Sequence, residues 1–253
     1  MYDFILDGML WSYSNLKAFE DCPYYWYMKY IECEVEKKGN VYSQFGSFCH
    51  SLLEKYLKGE LSREQLLPEY SNGFYDNVTE IIIDRNDPTE KLYEYGESYF
   101  HQCNIVAEQI KPIYVEKDIR FKVGKHDFRG IIDLMYEDKN GDFVILDHKT
   151  SDYPIGKNGN IKKSKESMMD GYIKQLALYA YGVGQVASKR PRYIGWNFIR
   201  ANQIYKIELT DKMVDDTIEW VNNTINAIYA CEDFPKKESY IMCTTLCDIR
   251  GHC

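Results

Sequence analysis

The chain has 253 residues, 45% hydrophobic and 28% charged, which suits one or two cored domains at roughly 150 residues each and excludes a disordered chain or a disulfide-built miniprotein. Its 31 Lys and Arg against 39 Asp and Glu give a formal net charge of -8. That excludes a protein that coats polyanions with its whole surface, but not an enzyme that meets phosphate through a divalent cation.

No stretch approaches the roughly 20 apolar residues of a membrane span, and the start MYDFILDGML carries no basic leader, so a cytoplasmic chain with no membrane contact is expected. Ser14 reads as the N-cap of a short helix carrying Leu16 and Phe19 and ending at Cys22-Pro23. The aromatic run Tyr24, Tyr25, Trp26, Tyr27 and Tyr30 reads as core or cap packing, with base stacking as the alternative. Phe45, Phe48, Cys49, Leu52, Leu53 and Tyr56 follow the spacing of an amphipathic helix. Residues 60–88, broken by Pro68, Gly73 and Pro88, read as loops with at most a short helix. Leu92, Tyr95, Tyr99, Phe100, Cys103, Val106 and Ile110 predict a long helix stopped before Pro112.

From residue 113 the period changes. The segments IYVEKDIRFKV, HDFRGIIDLMYED and FVILDHKTS, joined by turns at Gly124-Lys125 and Asn140-Gly141, predict a three-strand antiparallel meander. A polar loop over 154–168 follows, then a helix with Ile173, Leu176, Ala177, Ala180 and Gly184 as its buried stripe. Two strands, YIGWNFIR and IYKIELT, and a helix from Asp211 to about Ala230 complete the order. Helices, a meander, a helix, more strands and a helix predict an α/β or α+β fold, a mixed sheet flanked by helices.

Alternation along a strand places Asp147 and Lys149 on one face and Leu146 and His148 on the other. Asp133 shares the parity of Arg129 and Ile131, and the hairpin at Asn140-Gly141 brings it across from or diagonal to Asp147, within reach of one shared metal. Two carboxylates and a lysine at one sheet edge suit phosphodiester hydrolysis: the carboxylates hold Mg²⁺ or Mn²⁺, and the lysine orients water or stabilises developing charge. Standing alone, Asp-x-Lys also fits a surface ion pair. His50 falls on the same helix flank as Gly46, where a glycine leaves room beside the imidazole; on helix geometry alone an ordinary surface histidine is the preferred reading. Gln175 and Tyr179 lie one turn apart, either as a functional pair or as a routine helix flank. Glu116 reads as a further metal or water ligand, or as a charge that blunts an edge strand.

Together Gly46-x-x-x-His50, Gly130-Ile-Ile-Asp133, Ile145-Leu-Asp147-His-Lys149-Thr150 and Gln175-x-x-x-Tyr179 resemble the RecB-like branch of the PD-(D/E)XK nuclease superfamily in content and order. The resemblance implies a restriction-endonuclease-like core with helices on both sides. It implies His50, Asp133 and Asp147 as metal ligands with the His148 carbonyl nearby, Lys149 as the catalytic lysine, and Gln175 with Tyr179 positioning the substrate strand. In one nuclease domain over 1–253, the helical N-terminal part would span 1–111, the core 112–231 and a cysteine-rich segment 232–253.

Cys22, with Cys243-x-x-x-Cys247-x-x-x-x-x-Cys253, resembles the iron-sulfur staple of RecB-like nucleases. Four thiolates suit a [4Fe-4S] cluster or Zn²⁺ equally on ligand type, and the resemblance favours iron-sulfur. Its usual C-terminal spacing begins C-x-x-C, whereas three residues separate Cys243 from Cys247. Cys33, Cys49, Cys103 and Cys231 read as packing residues, with Cys231 or His252 as substitute ligands. Lys157, Lys162, Lys163 and Lys165, together with Arg190 and Arg192, are candidates for a basic rim that contacts DNA, and a solvated mobile loop is the alternative for the lysines.

The expected function is a metal-dependent deoxyribonuclease, an exonuclease on single-stranded DNA or linear ends, in recombination, repair or CRISPR adaptation. A catalytically silent DNA-end-binding or assembly subunit is the alternative. No Walker A motif is present, so a helicase, annealing or integration partner would be a separate protein, and an oligomer is compatible with these residues.

Overall fold

The computed structural model describes residues 2–33, 39–80, 87–103, 105, 110–187, 190–237, 243, 247 and 249. Its centre is a five-stranded sheet in the order β1-β2-β3-β4-β5, built from β1 (Lys111–Val123), β2 (His126–Glu137), β3 (Phe143–Lys149), β4 (Tyr193–Phe198) and β5 (Gln203–Glu208). The first three strands form the predicted antiparallel meander. β3 and β4 are parallel, and β5 returns antiparallel. A parallel pair needs a crossover, supplied by α7 (Glu166–Val186).

Helices cover both faces. On one lie α1 (Asp3–Asp7), α2 (Tyr13–Asp21), α3 (Pro23–Tyr27), α7 and α8 (Asp211–Ala230), whose buried residues pack with Ile145, Ile194 and Trp196. On the other, α4 (Val41–Leu57), α5 (Arg63–Asn77) and α6 (Thr89–Gln102) pack with Val144, Leu146 and Ile199. The alternation of β3 therefore sends Ile145 to one core and its neighbours Val144 and Leu146 to the other. Trp26 of the aromatic run is fully buried, its ring stacked on Phe234 at 5.6 Å and its indole N–H donating to Asn15 Oδ1 at 3.0 Å. That member of the run is core.

Several boundaries differ from the sequence expectation. The cap of α2 is Ser12, whose hydroxyl accepts from the Asn15 N–H at 3.1 Å, and Ser14 lies in the first turn. Residues 63–77 form a helix of 15 residues rather than loops. Leu66, Tyr70 and Phe74 recur every four residues and are buried, while Pro68 faces solvent, where a helix can bend around a missing N–H. α6 stops at Gln102 because Cys103 takes a left-handed φ of 36°, and Pro112 lies inside β1, an edge strand that tolerates proline. Val106 lies outside the described residues. On α7, Leu176, Ala177 and Ala180 are buried as expected, but Gly184 is exposed, Ile173 is partly buried, and Tyr179, Gly182 and Val183 complete the inner face. Cys49 and Cys103 are core residues; Cys33 is exposed and Cys231 partly buried.

Candidate active site

At the carboxyl end of β3 the meander and two helices converge on a cavity of about 580 Å³. β1 and β2 bracket one acidic pair: Val115 faces Leu134 and Lys117 faces Ile132, so Glu116 opposes Asp133. β2 and β3 align the next, because the step beyond Leu134 and Leu146 brings Asp133 to Asp147. Glu116, Asp133 and Asp147 thus form a row across three adjacent strands. Glu116 holds a left-handed φ of 47°, a conformation that costs an L side chain about 1–2 kcal/mol and that persists where the surroundings impose it.

α4 brings His50 onto this row. Its Nδ1 lies 3.5 Å from Asp133 Oδ2 and 3.9 Å from Glu116 Oε1, and its Nε2 donates to the His148 carbonyl at 2.9 Å. Gly46, one turn earlier, lies close beside Thr150: a Cβ there would stand 3.3 Å from Thr150 Oγ1, a tight contact. Asp133 Oδ2 also accepts from the His148 N–H at 2.8 Å. The His148 ring faces the opposite way, buried, with Nδ1 3.1 Å from Asn197 Nδ2, which donates in turn to Tyr99 Oη at 2.7 Å. The sequence does not mark Asn197 as a site residue, because only the parallel register His148 to Asn197 brings it there, and Tyr99 reads there only as part of a helical stripe.

α7 supplies the other wall. Lys149 Nζ lies 2.6 Å from Asp147 Oδ2, donates to Gln175 Oε1 at 3.1 Å and sits 4.4 Å from the centre of the Tyr172 ring. Gln175 Nε2 donates to Asp147 Oδ1 at 3.3 Å, so one amide spans both ends of the ion pair. Tyr179 packs against Gly130, where a Cβ would fall 2.8 Å from its ring, so the glycine of the Gly130–Asp133 segment is required for this contact. Tyr172 is a further site residue that the motif set does not include, although it precedes Gln175 by three residues and Tyr179 by seven, a spacing that puts all three on one helix face.

The electrostatics follow from this crowding. Burial, then the neighbouring Asp147 charge, lifts Asp133 from the usual carboxylate range to about 7, against the opposing pull of His50. Burial resists a charge on His50, but Glu116, Asp133 and Asp147 outweigh it and raise the imidazole to about 9. Burial resists charge on Lys149 as well, and the Asp147 carboxylate overcomes it, so the ammonium is held above its ordinary value. The His148 imidazole is driven well below its usual range by burial, then by the charges of His50 and Lys149.

The donor set fits a hard divalent cation. His50, Glu116 and Asp133 offer ligand atoms within 4.8 Å of one another. Asp147 Oδ2 is buried and, despite its contact with Lys149, has no aligned hydrogen-bond partner among the described residues. Carboxylate oxygens with one imidazole suit Mg²⁺ or Mn²⁺ better than a soft ion.

A sequence profile of the PD-(D/E)XK nuclease superfamily matches residues 10–253. The chain belongs to that superfamily. Among solved structures it is similar to a candidate exonuclease of Eubacterium rectale, with a TM-score of 0.52 and 16% identity over 94% of this chain and 93% of that one, a likeness that bears on the fold alone. It also matches the SSO0001 structure at a TM-score of 0.32 and 13% identity, covering 89% of this chain and 85% of that one. No curated protein matches. Membership makes the chain a nuclease, and no described helix is long and apolar enough to cross a membrane.

The remaining candidate residues divide. Lys157 and Lys163 are exposed, whereas Lys162 donates to the Tyr153 carbonyl at 2.9 Å and Lys165 pairs with Asp152 at 3.3 Å. Arg190 and Arg192 do not join this rim. They precede β4, whose first residue Tyr193 pairs with Val144, so parallel pairing puts them at the far end of β3, roughly 17–20 Å from Lys149 at 3.3 Å per residue. There they pair with Asp211, Asp142 and Glu208.

Glu116 carries a prediction of its own. Glu116→Gly should raise the melting temperature of metal-free protein by about 2–4 °C, as relief of about 1 kcal/mol of backbone strain implies, while weakening divalent-ion binding. A melting temperature that falls would remove the strain argument.

Proposed function

We propose that this nuclease is a Mg²⁺- or Mn²⁺-dependent deoxyribonuclease, an exonuclease on single-stranded DNA or linear ends, with Asp133, Asp147 and His50 as metal ligands and Glu116 and the His148 carbonyl in the same cluster. The observation that carries the reading is the carboxylate row across three strands with Lys149 at its mouth. A bound divalent cation supplies a Lewis acid for the phosphoryl oxygen and lowers the pKa of a coordinated water. Lys149, held protonated between Asp147, Gln175 and the Tyr172 ring, serves as a fixed positive donor for charge developing on the phosphate, not as a base. Gln175 keeps that donor and Asp147 in register, and Tyr179 wedges α7 against Gly130, fixing the strand that carries Asp133. Lys157, Lys162, Lys163 and Lys165 are proposed to guide the strand toward the site. Recombination, repair or CRISPR adaptation, with a separate helicase, annealing or integration protein, is the proposed setting.

The same reading includes a [4Fe-4S] cluster on Cys22, Cys243, Cys247 and Cys253, with Zn²⁺ as the alternative occupant. Its support is local. The Cys22 sulfur accepts backbone N–H groups of Tyr25 and Lys237 at 3.5 Å each, and Cys243 Sγ lies 3.9 Å from the Lys237 carbonyl, so both flank one residue. Backbone N–H groups aimed at sulfur stabilise a metal-bound thiolate. No disulfide joins the described cysteines, and Cys253 lies outside them. Cys22→Ala should lower iron, acid-labile sulfide and thermal stability together; zinc in place of iron decides for the alternative, and unchanged metal content removes Cys22 from the ligand set.

Cleavage of end-labelled single-stranded and linear duplex DNA with Mn²⁺ or Mg²⁺, against EDTA, tests the main proposal. Metal-dependent loss of the label from one end supports an exonuclease and gives its polarity. No cleavage by metal-loaded protein overturns it in favour of a DNA-binding subunit.

A further inference from the structure

A second recess lies on the same flank of α4, about two turns toward its N-terminus from His50. It measures about 320 Å³ and is lined by Tyr42, Tyr95, Asp87, Lys91, Asp152 and Arg200, among others, near the low end of small-ligand pockets. Its position follows from the same elements as the active site. Tyr42, Gly46 and His50 succeed one another at four-residue intervals on α4, so Tyr42 lies about 12 Å along the helix from His50 at 1.5 Å per residue. Gly46, between them, packs on Thr150, the residue after Lys149, and the chain continues to Asp152 at the recess. Arg200 arrives from the neighbouring strand: Phe198 pairs with Lys149 at the carboxyl ends of the parallel strands, and Arg200 follows two residues later. The crevice beyond the carboxyl ends of parallel strands is where open α/β sheets bind ligands.

The chemistry of the recess is that of a base, not a phosphate. The Arg200 guanidinium lies 5.6 Å from the ring centres of both Tyr42 and Tyr95, and Lys91 lies 5.7 Å from that of Tyr95. Arg200 Nη1 pairs with Asp152 at 3.1 Å, but Nε is buried with no hydrogen-bond partner among the described residues, a donor awaiting an acceptor. The two carboxylates repel phosphate. They accept from the exocyclic and ring N–H groups of a base, although both already have work: Asp152 also pairs with Lys165, and Asp87 accepts from the Thr89 N–H and hydroxyl. Tyrosine and guanidinium faces are the surfaces on which unpaired bases stack.

We propose that the Tyr42–Arg200–Tyr95 recess is a second nucleotide position, which stacks one unpaired base of the substrate strand while the scissile phosphate lies at the carboxylate row. A span of about 12 Å equals three to four nucleotides at the roughly 3.4 Å rise of a stacked strand. The proposal rests on the nuclease reading and goes beyond it, because it fixes where a strand must run and makes a base, rather than backbone charge, its second anchor.

The test is fluorescence anisotropy with labelled oligothymidylates of three and ten nucleotides, in Ca²⁺, on the full chain. Tyr42→Leu and Arg200→Gln should weaken binding of the ten-nucleotide strand about tenfold, the scale of one lost base stack, and leave the three-nucleotide strand unaffected. Tyr42→Phe, which keeps the ring, should bind as wild type. An abasic site moved along the longer strand should reproduce the loss at one position in wild type and add nothing in the variants. Equal affinity across all proteins, equal losses for both lengths, no sensitive abasic position, or no binding by wild type each overturns the recess. Metal-dependent cleavage by wild type, measured separately, shows whether the nuclease reading on DNA stands when the recess fails. Melting temperatures of all variants within a few degrees of wild type exclude misfolding as the cause of a loss; if a leucine or glutamine variant melts early, the abasic scan on wild type decides.

Discussion

Lys149→Met should lower the rate of metal-dependent strand cleavage about a thousandfold while changing strand affinity less than about threefold. Removing one preorganised donor aimed at transition-state charge costs about 10²–10³ in rate in other enzymes, and Lys149 supplies a full charge. Its side chain is 17% exposed and that of Asp147 is 7%, so the pair works in a medium where charge is weakly screened. Methionine keeps the stem against Tyr172 and leaves Asp147 available to a metal, so the fold and the metal site should persist. Single-turnover cleavage measured beside anisotropy separates the two effects. Cleavage within tenfold of wild type would dismiss Lys149 from the reaction, and a parallel collapse of binding would make it a strand anchor.

What the sequence exposes of this site is what period-two alternation and short hairpins control. The parity of Asp133 with Ile131, and of Asp147 with Lys149, needs only a strand, and the Asn140-Gly141 turn fixes their register. Gly46 and His50 were legible as neighbours on a helix, but not what Gly46 faces, because Thr150 is a hundred residues away. Asn197 was illegible for the same reason: the parallel pairing of β3 and β4 is set by a crossover whose length leaves the register open. The helical part departs from the sequence reading at two places. Pro68 and Gly73 punctuate α5, yet Leu66, Tyr70 and Phe74 bury enough apolar surface to hold a helix that local propensity disfavours. α6 ends early at the left-handed Cys103, a backbone conformation that side-chain periodicity through Ile110 cannot register. Arg190 and Arg192 looked close to the active strand in a linear reading, and parallel pairing sends them to its other end.

Asp133→Asn should separate stability from activity. Asparagine keeps a side-chain oxygen to accept from the His148 N–H, so the hydrogen bond at 2.8 Å can survive, while the charge disappears from a carboxyl group only 11% exposed. In metal-free protein that charge is unwelcome, since burial and Asp147 raise the Asp133 pKa to about 7. The folded state then holds a proton that the unfolded chain releases near the ordinary carboxylate value of 3.8, so the stability contributed by protonated Asp133 is lost as pH rises through about 7. His50 acts with the same sign in a higher window: its stabilising charge is fully present below about 6.5 and is lost as pH rises through about 9. The wild type in EDTA should therefore melt at a lower temperature at pH 8 than at pH 5, and the asparagine variant should show a shallower decline and a melting temperature at pH 8 higher by about 2–4 °C per kcal/mol recovered. Divalent ion should reverse the order. Wild type gains stability from Mn²⁺, more at pH 8 than at pH 6 because binding must displace these protons, whereas the variant gains little and its cleavage rate falls on the order of a thousandfold. A variant stabilised by Mn²⁺ as strongly as wild type would take Asp133 out of the metal site, and equal pH slopes in EDTA would show that its carboxyl group is not the titrating one.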